Sequence, residues 1–385
     1  MKKCIVCKGE FFKKPLLSYK NMPALAQNMP SKSELLNEKG IDFNVCQCSL
    51  CGLVQLDCDA VFYYRDVIRA GGGSTVMLDI RRNQYIDFIK KFNLIGKRFL
   101  EVGCGQGEFL QVLNEFEVQA HGIENNAELV QKAVEKGLSV HCNFIESKDD
   151  IVSDKKYDAF LSFNFLEHQP NPCGMLQGIY NNLTDDGVGI VTVPSFEYIV
   201  EHNSFYEFIR DHIAYYSEGS LRILLERCGF WIVELSRLNR DTISVYVKKR
   251  NMVDISGLKC NFNRLNSSIR QFVQSIKIQG GDVALWGASH QGFTILSTAQ
   301  LGADIAYIID SAPFKQGKYS PATHIPIVPP EYFFANKVAA IIIVAPGYSN
   351  EIYETIQARY GNDVQIAVLR SENVEVLSEK GESDG

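Results

Sequence analysis

The stretch KRFLEVGCGQGEFLQVLNEF, residues 97–116, constrains the fold more than any other part of the chain. Phe99 to Val102 is a short apolar run of strand type. Gly103-Cys104-Gly105-Gln106-Gly107 is a glycine-rich turn, and an amphipathic helix is predicted to start near Glu108. Glycines let a backbone turn tightly and approach a ligand closely at the end of a parallel strand. A dinucleotide site uses a similar turn, but the spacing here is G-x-G-x-G rather than G-x-G-x-x-G. An acidic residue, Glu101, also precedes it. A carboxylate there repels a pyrophosphate. It can instead hydrogen-bond, through the turn or a water, to the amino-acid end of S-adenosylmethionine. The next apolar run, AHGIE, ends at Glu124. A carboxylate at that point can accept both ribose hydroxyls.

The pattern then repeats as an α/β doubly wound sheet requires. LSVHCNF reads as a third strand, with Asn143 and Phe144 at its end placed to hold the edge and face of an adenine. KYDAFLSFNFLEHQPNP is a fourth, whose end from Asn164 to His168 opens over the pocket. GVGIVTVPS is a fifth, and each strand is expected to be separated from the next by a helical stretch. Near the C-terminus GDVALWGASHQGFTIL again reads as strand, glycine turn and helix. IAYIIDS, ending at Asp310, and KVAAIIIVAP follow as strands. Gly287 and Gly292 do not fit the dinucleotide spacing.

Six of the eleven cysteines fall in the first 58 residues. Cys4 with Cys7, and Cys48 with Cys51, are two C-x2-C pairs, which together can offer four thiolates to a structural zinc with no open position. A small segment with few apolar residues needs such a staple. Cys46 and Cys58 are spare thiols. Between the pairs, LLSYKNMPALAQNM reads as an irregular loop able to line a pocket.

A chain of 385 residues suggests two or three domains. Apolar content of 46% and charged content of 22% are ordinary for a globular protein. The net charge of −6 argues against nucleic acid as a partner. The N-terminus MKKCIVCKGEFFKK has no apolar core of signal-peptide type, and no window approaches 18 uninterrupted apolar residues. Reduced thiols without a secretory signal suggest a cytoplasmic location.

Residues 78–250 resemble a class I S-adenosylmethionine-dependent methyltransferase, through EVGCGQG, GIE and YDAFLSFNFLEH. The whole chain resembles three-domain sugar C-methyltransferases. CIVC and CSLCGLVQL match their zinc-binding domain, and VALWGASHQG with IIDSAPFKQGKYSPATHIPI matches their second Rossmann-like domain. The resemblance implies a zinc-binding domain over 1–62, a methyltransferase domain over 63–250 and a C-terminal Rossmann-like domain over 251–377. Residues 378–385 are left as a disordered tail. It implies S-adenosylmethionine as cofactor, bound by Glu101, Gly103, Gly105, Gly107, Glu124, Asn143, Phe144 and Asn164. It also implies structural zinc on Cys4, Cys7, Cys48 and Cys51. The substrate it implies is a nucleotide-linked keto-deoxysugar, held partly by the C-terminal domain with Lys315 and Lys318 near phosphates. That family more often has a lysine where this chain has Gln291. A monomer or homodimer is expected.

The same resemblance places catalysis at His168 and in FYEFIRDHIAYYS, where Asp211 and His212 take the roles of orienting partner and base. Ile209 stands where the family has a tyrosine. Without that hydroxyl, a carbon next to a ketone, or an oxygen or nitrogen of a related sugar, both remain open as the methyl acceptor. Tyr206, Tyr215 and Tyr216 are nearby substitutes. A cofactor-binding regulatory protein without turnover is the reading from another class. Residues 20–30, 71–75 and 202–216 are the candidate closing loops.

Overall fold

The computed structural model describes residues 2–27, 29–66, 73–345 and 347–377, which fall into two compact units dividing after Met252. The tail expected to be disordered, 378–385, and residues 71–72 of one candidate loop lie outside the described residues.

The first unit contains eleven strands. They are β1 (Leu17–Met22), β2 (Ile41–Gln47), β3 (Val54–Leu56), β4 (Arg98–Val102), β5 (Gln119–Glu124) and β6 (Val140–Cys142), then β7 (Tyr157–Phe163), β8 (Leu183–Pro194), β9 (Ala214–Tyr215), β10 (Phe230–Leu238) and β11 (Thr242–Lys249). Seven of them form one sheet in the order β10-β11-β8-β7-β4-β5-β6. The five expected strands are parallel. The mixed character comes from β11, antiparallel to both β8 and β10. The chain winds from β4 outward to β6, then returns to β7 on the other side of β4. This reversal opens a crevice at the carboxyl ends of β4 and β7, where such sheets bind ligands. The expected helices after β4 and β5 are α2 (Glu108–Leu113) and α3 (Ala127–Glu135), while α1 (Thr75–Phe92) precedes β4. No helix lies between β6 and β7, contrary to expectation. There the chain is held by Asp150, whose Oδ2 accepts from the backbone N–H groups of Glu146 and Ser147.

The N-terminal segment forms a four-stranded sheet, β1-β2-β3-β9. Its last strand comes from the FYEFIRDHIAYYS stretch: Val54 pairs Tyr215 and Gln55 pairs Ala214. Buried Phe43, Val45, Leu53 and Leu56 therefore share one core with Ile213, Tyr216 and the β8 residues Val191 and Val193. LSYKNM, expected to be loop, is a strand whose residues are exposed or half-buried.

The second unit has a six-stranded sheet made by Val283–Trp286, Ile305–Ile309, Ile327–Val328, Ala340–Ile343, Gln365–Leu369 and Val374–Leu377. Only the last pair is antiparallel. Leu285, Ile308 and Ile342 pack on one face, and Trp286, Ile309 and Ile341 on the other. Apolar runs covered on both faces are the signature of a parallel sheet. Among the described residues, no helix is long and apolar enough to cross a membrane.

Candidate active site

The glycine turn adopts the backbone that its sequence predicts. Gly103, Gly105 and Gly107 have φ of 69°, 59° and 82°, a region that side chains disfavour. A Cβ on Gly107 would lie 2.2 Å from Leu138 Cδ1, so a larger residue here must displace the Leu138 side chain. Above the turn lies a cleft of about 500 Å³. Gly103 and Gly105 form part of one wall, whereas Gly107 and the fully buried Glu101 lie behind it. Glu124, at the end of β5, accepts from Gly105 N at 3.0 Å and from Asn126 N at 2.9 Å. Beside it a narrow slot is lined by Arg65, Asn143, Phe144 and Phe165. The Arg65 guanidinium lies 5.2 Å from the Phe144 ring centroid. Asn164 follows β7 in a left-handed conformation with φ of 48°, and its Oδ1 accepts from Thr192 Oγ1 at 2.9 Å.

Arg81 was not anticipated. It is fully buried on α1, with its guanidinium 3.7 Å from the Phe163 centroid, and it lines the cleft. Its Nη1 donates to Gln84 Oε1 at 2.6 Å and its Nη2 to Thr192 Oγ1 at 3.3 Å. Leu78, Arg81, Tyr85 and Phe88 follow helical spacing, and an arginine on an apolar stripe was the available signal.

The cleft is also lined by Glu167, His168, Ile209, Asp211 and His212, with Ala26 and Gln27 from the N-terminal segment. The rings of His168 and His212 meet edge to face, 4.8 Å between centroids. His168 Nδ1 is 2.7 Å from the Asp211 backbone oxygen. A carbonyl only accepts, so Nδ1 carries the proton and Nε2 the lone pair. The expected pairing of the Asp211 carboxylate with His212 is replaced. Tyr63 OH donates to Asp211 Oδ1 at 2.8 Å, and Ala26 N to its Oδ2 at 3.2 Å. Asp211 thus clamps residues 26 and 63 against the loop, and orients His168 through its main chain. Asp211 sits in a turn closed by His212 N donating to Ile209 O at 3.1 Å, and its carboxylate is taken up by Tyr63 and Ala26 instead.

The tyrosines suggested as substitutes at position 209 turn elsewhere. Tyr215 OH accepts from Ile209 N at 2.8 Å, and Tyr216 is fully buried with its OH 3.5 Å from Leu166 O. Tyr206 is exposed. Ile209 leaves an apolar wall.

Burial, with the neighbouring His168, pushes the His212 imidazole down to about 3. Burial likewise lowers His168, opposed by its bond to Asp211. Both rings are neutral near pH 7. The unfolded chain takes up these protons near pH 6.5 and the folded chain does not, so stability rises with pH here. It is expected to be full above pH 6.5 and to fall as pH drops toward 3, by up to ~1.4 kcal/mol per pH unit for His212, with His168 adding in the same direction. Urea midpoints from pH 7 to 5, in buffer without added transition metal, check this. The slope should flatten in His212→Gln.

Cys4, Cys7, Cys48 and Cys51 converge with all four Sγ atoms within 4.8 Å of one another. Cys4 Sγ is 3.4 Å from Cys51 Sγ, and Cys7 Sγ is 3.4 Å from Cys48 Sγ. Lys8 and Gly52 are left-handed at φ of 62° and 73°. Gly9 N and Leu50 N point at Cys7 and Cys48 sulfur, at 3.3 and 3.4 Å. Such knuckles stabilise thiolates, and four thiolates fit a tetrahedral zinc. In the second unit, Asp310 Oδ2 accepts from Lys315 Nζ at 2.8 Å and from Ala288 N at 2.9 Å. Lys315 is therefore engaged, while Lys318 is exposed.

Gly105→Asp tests the cofactor wall. The new carboxylate would project into the cleft, and S-adenosylmethionine affinity is expected to drop more than ~100-fold, the cost of an uncompensated like charge. Circular dichroism should stay unchanged. Calorimetry showing wild-type affinity would remove the turn from the site.

A methyltransferase-domain model matches residues 77–235, and a model described as the C-methyltransferase C-terminal domain matches 250–368. The C-methyltransferase NovU of Streptomyces niveus is 21% identical over 374 residues, covering 88% of each chain. A ubiquinone biosynthesis O-methyltransferase of Haemophilus ducreyi is 30% identical over 121 residues, 29% of this chain and 51% of that one. A solved methyltransferase from Clostridium acetobutylicum superposes with a TM-score of 0.38 at 14% identity, over 45% of this chain and 92% of that one. With both domain models and a full-length methyltransferase relative on a glycine-turn crevice, the chain is a class I S-adenosylmethionine-dependent methyltransferase.

Proposed function

We propose that the chain methylates a carbon next to a ketone on a nucleotide-linked deoxysugar, with His212 as the base. The observation that carries this reading is the edge-to-face His168–His212 pair, which lines the same cleft as the glycine turn. The C-methyltransferase that covers 88% of the chain supports carbon as the acceptor.

Gly103, Gly105, Gly107, Glu124, Asn143, Phe144 and Asn164 hold the cofactor, with Glu101 bracing the turn from behind. Arg81, which lines the cleft, would offer a cation to its carboxylate. When bound, the cofactor supplies an electrophilic methyl group. The chain's work is alignment and proton removal, and alignment alone is worth several kcal/mol. The neutral His212 imidazole takes the proton from the acceptor carbon. His168, oriented by Asp211, sits beside it to stabilise the charge that develops. Ala26 and Gln27 close the cleft against water. Cys4, Cys7, Cys48 and Cys51 hold a structural zinc. Within the second unit, exposed Lys318 would be available to a phosphate, and Lys315 only on leaving Asp310. The reduced thiols suit a cytoplasmic enzyme, working as a monomer or homodimer.

Ile209 favours a second reading. With an apolar wall and no tyrosine turned to the cleft, an oxygen or nitrogen acceptor, including an amino or amidino group, needs no enolate stabilisation. Labelled S-adenosylmethionine with a panel of nucleotide-sugars separates the readings. Mass and NMR spectra of the product place the methyl on carbon, oxygen or nitrogen. Cofactor binding with no transfer to any sugar would refute both.

A further inference from the structure

We propose that Glu167, His168 and His212 form a second, exchangeable site for a borderline divalent cation of the Zn²⁺, Co²⁺ or Ni²⁺ class, and that a cation seated there withholds His212 from proton transfer. One ligand atom from each residue lies within 4.8 Å of the others, and all three residues line the cleft. The arrangement of His168 is that of a metal ligand. Its Nδ1 proton is given to the Asp211 carbonyl at 2.7 Å, which aims the Nε2 lone pair at Glu167 Oε1, 3.9 Å away. Donating the far ring nitrogen to a carbonyl is how ligating histidines are oriented. A lone pair facing a carboxylate oxygen at 3.9 Å is too far for a hydrogen bond. Around a tetrahedral zinc, such ligand atoms stand about 3.4 Å apart, so small side-chain motions close the site. The support beneath is stiff, because Tyr63 and Ala26 both hold Asp211.

Two imidazoles and one carboxylate select borderline transition ions. Mg²⁺ and Ca²⁺ prefer all-oxygen shells and should not compete. Three protein ligands leave a position open toward the cleft, unlike the closed cysteine set at Cys4, Cys7, Cys48 and Cys51. Cation binding needs no redox partner. It occupies the nitrogen lone pair that a base must offer. The loss of turnover rests on the reading of His212 as base; the binding does not.

Cobalt titration of the full-length, zinc-loaded protein provides the test. One Co²⁺ per chain should bind beyond the zinc, with visible ligand-field bands but no thiolate-to-cobalt charge transfer. Glu167→Gln and His212→Asn, with zinc content unchanged, should each weaken it by more than ~10-fold. Methyl transfer should fall with the same midpoint as the optical signal. No second equivalent up to millimolar cobalt, a thiolate band, or affinity untouched by both substitutions would overturn the site. Binding that leaves turnover unchanged would overturn the inhibition, and with it the base assignment, while the site itself stands.

Discussion

His212→Ala is expected to slow methyl transfer by ~10²-fold or more, the usual contribution of a positioned general base. The effect should fall on kcat rather than on cofactor affinity, because proton removal is assigned to His212 and cofactor binding to Gly105 and Glu124. Removing a buried imidazole also opens a cavity, so melting and cofactor binding should be recorded on the same preparation. His212→Gln, closer in volume, should lose the same rate with less stability. An unchanged rate in both would return His212 to the role of an aromatic-type packing residue against His168. His168→Ala should weaken turnover less, since its lone pair acts beside the base rather than on the acceptor.

The second large effect is expected from the cysteines. Cys48→Ser should abolish zinc retention and lower the unfolding free energy of the first unit by more than ~3 kcal/mol, since structural zinc binding is folding free energy. Activity should disappear with it, although no sulfur touches the cleft. The route is physical: β3 follows the Cys48–Cys51 knuckle and pairs with β9, which directly succeeds His212. Elemental analysis and thermal melts of the variant, against protein purified without chelator, check this. Wild-type melting with no zinc in either sample would rule out the metal.

Local features were legible in the sequence. The glycine turn, the acidic ends of β4 and β5, and the paired cysteines each depend on spacing within a few residues; the structure brings Gly103, Gly105 and Glu124 to one cleft and the four sulfurs within 4.8 Å of one another, while Glu101 and Gly107 do not line the cleft. Contacts made across the chain were not. Nothing near Asp211 announces that Tyr63 and Ala26 will take its carboxylate, 148 and 185 positions away. LSYKNM carries no apolar alternation because it is an edge strand with neither face deeply covered. The direction of β11 escaped because an apolar run reads the same in parallel and antiparallel pairing. The segment after β6 was expected to be helical by analogy with its neighbours, and carboxylate-held turns replaced it. The misplaced Asp211–His212 pairing shows the limit of adjacency: the chain turns at 209–212, and distant Tyr63 and Ala26 take the Asp211 carboxylate.

The β3–β9 ladder also bears on synthesis. The buried edge of Val54-Gln55-Leu56 waits for Ala214 and Tyr215, roughly 160 residues later. At typical translation rates that is about 10–30 s during which an apolar strand edge has no partner. Unpaired edges template association with other chains. Nascent chains halted before residue 214 should therefore engage holdase chaperones or aggregate through this segment, whereas chains extended past 216 should not.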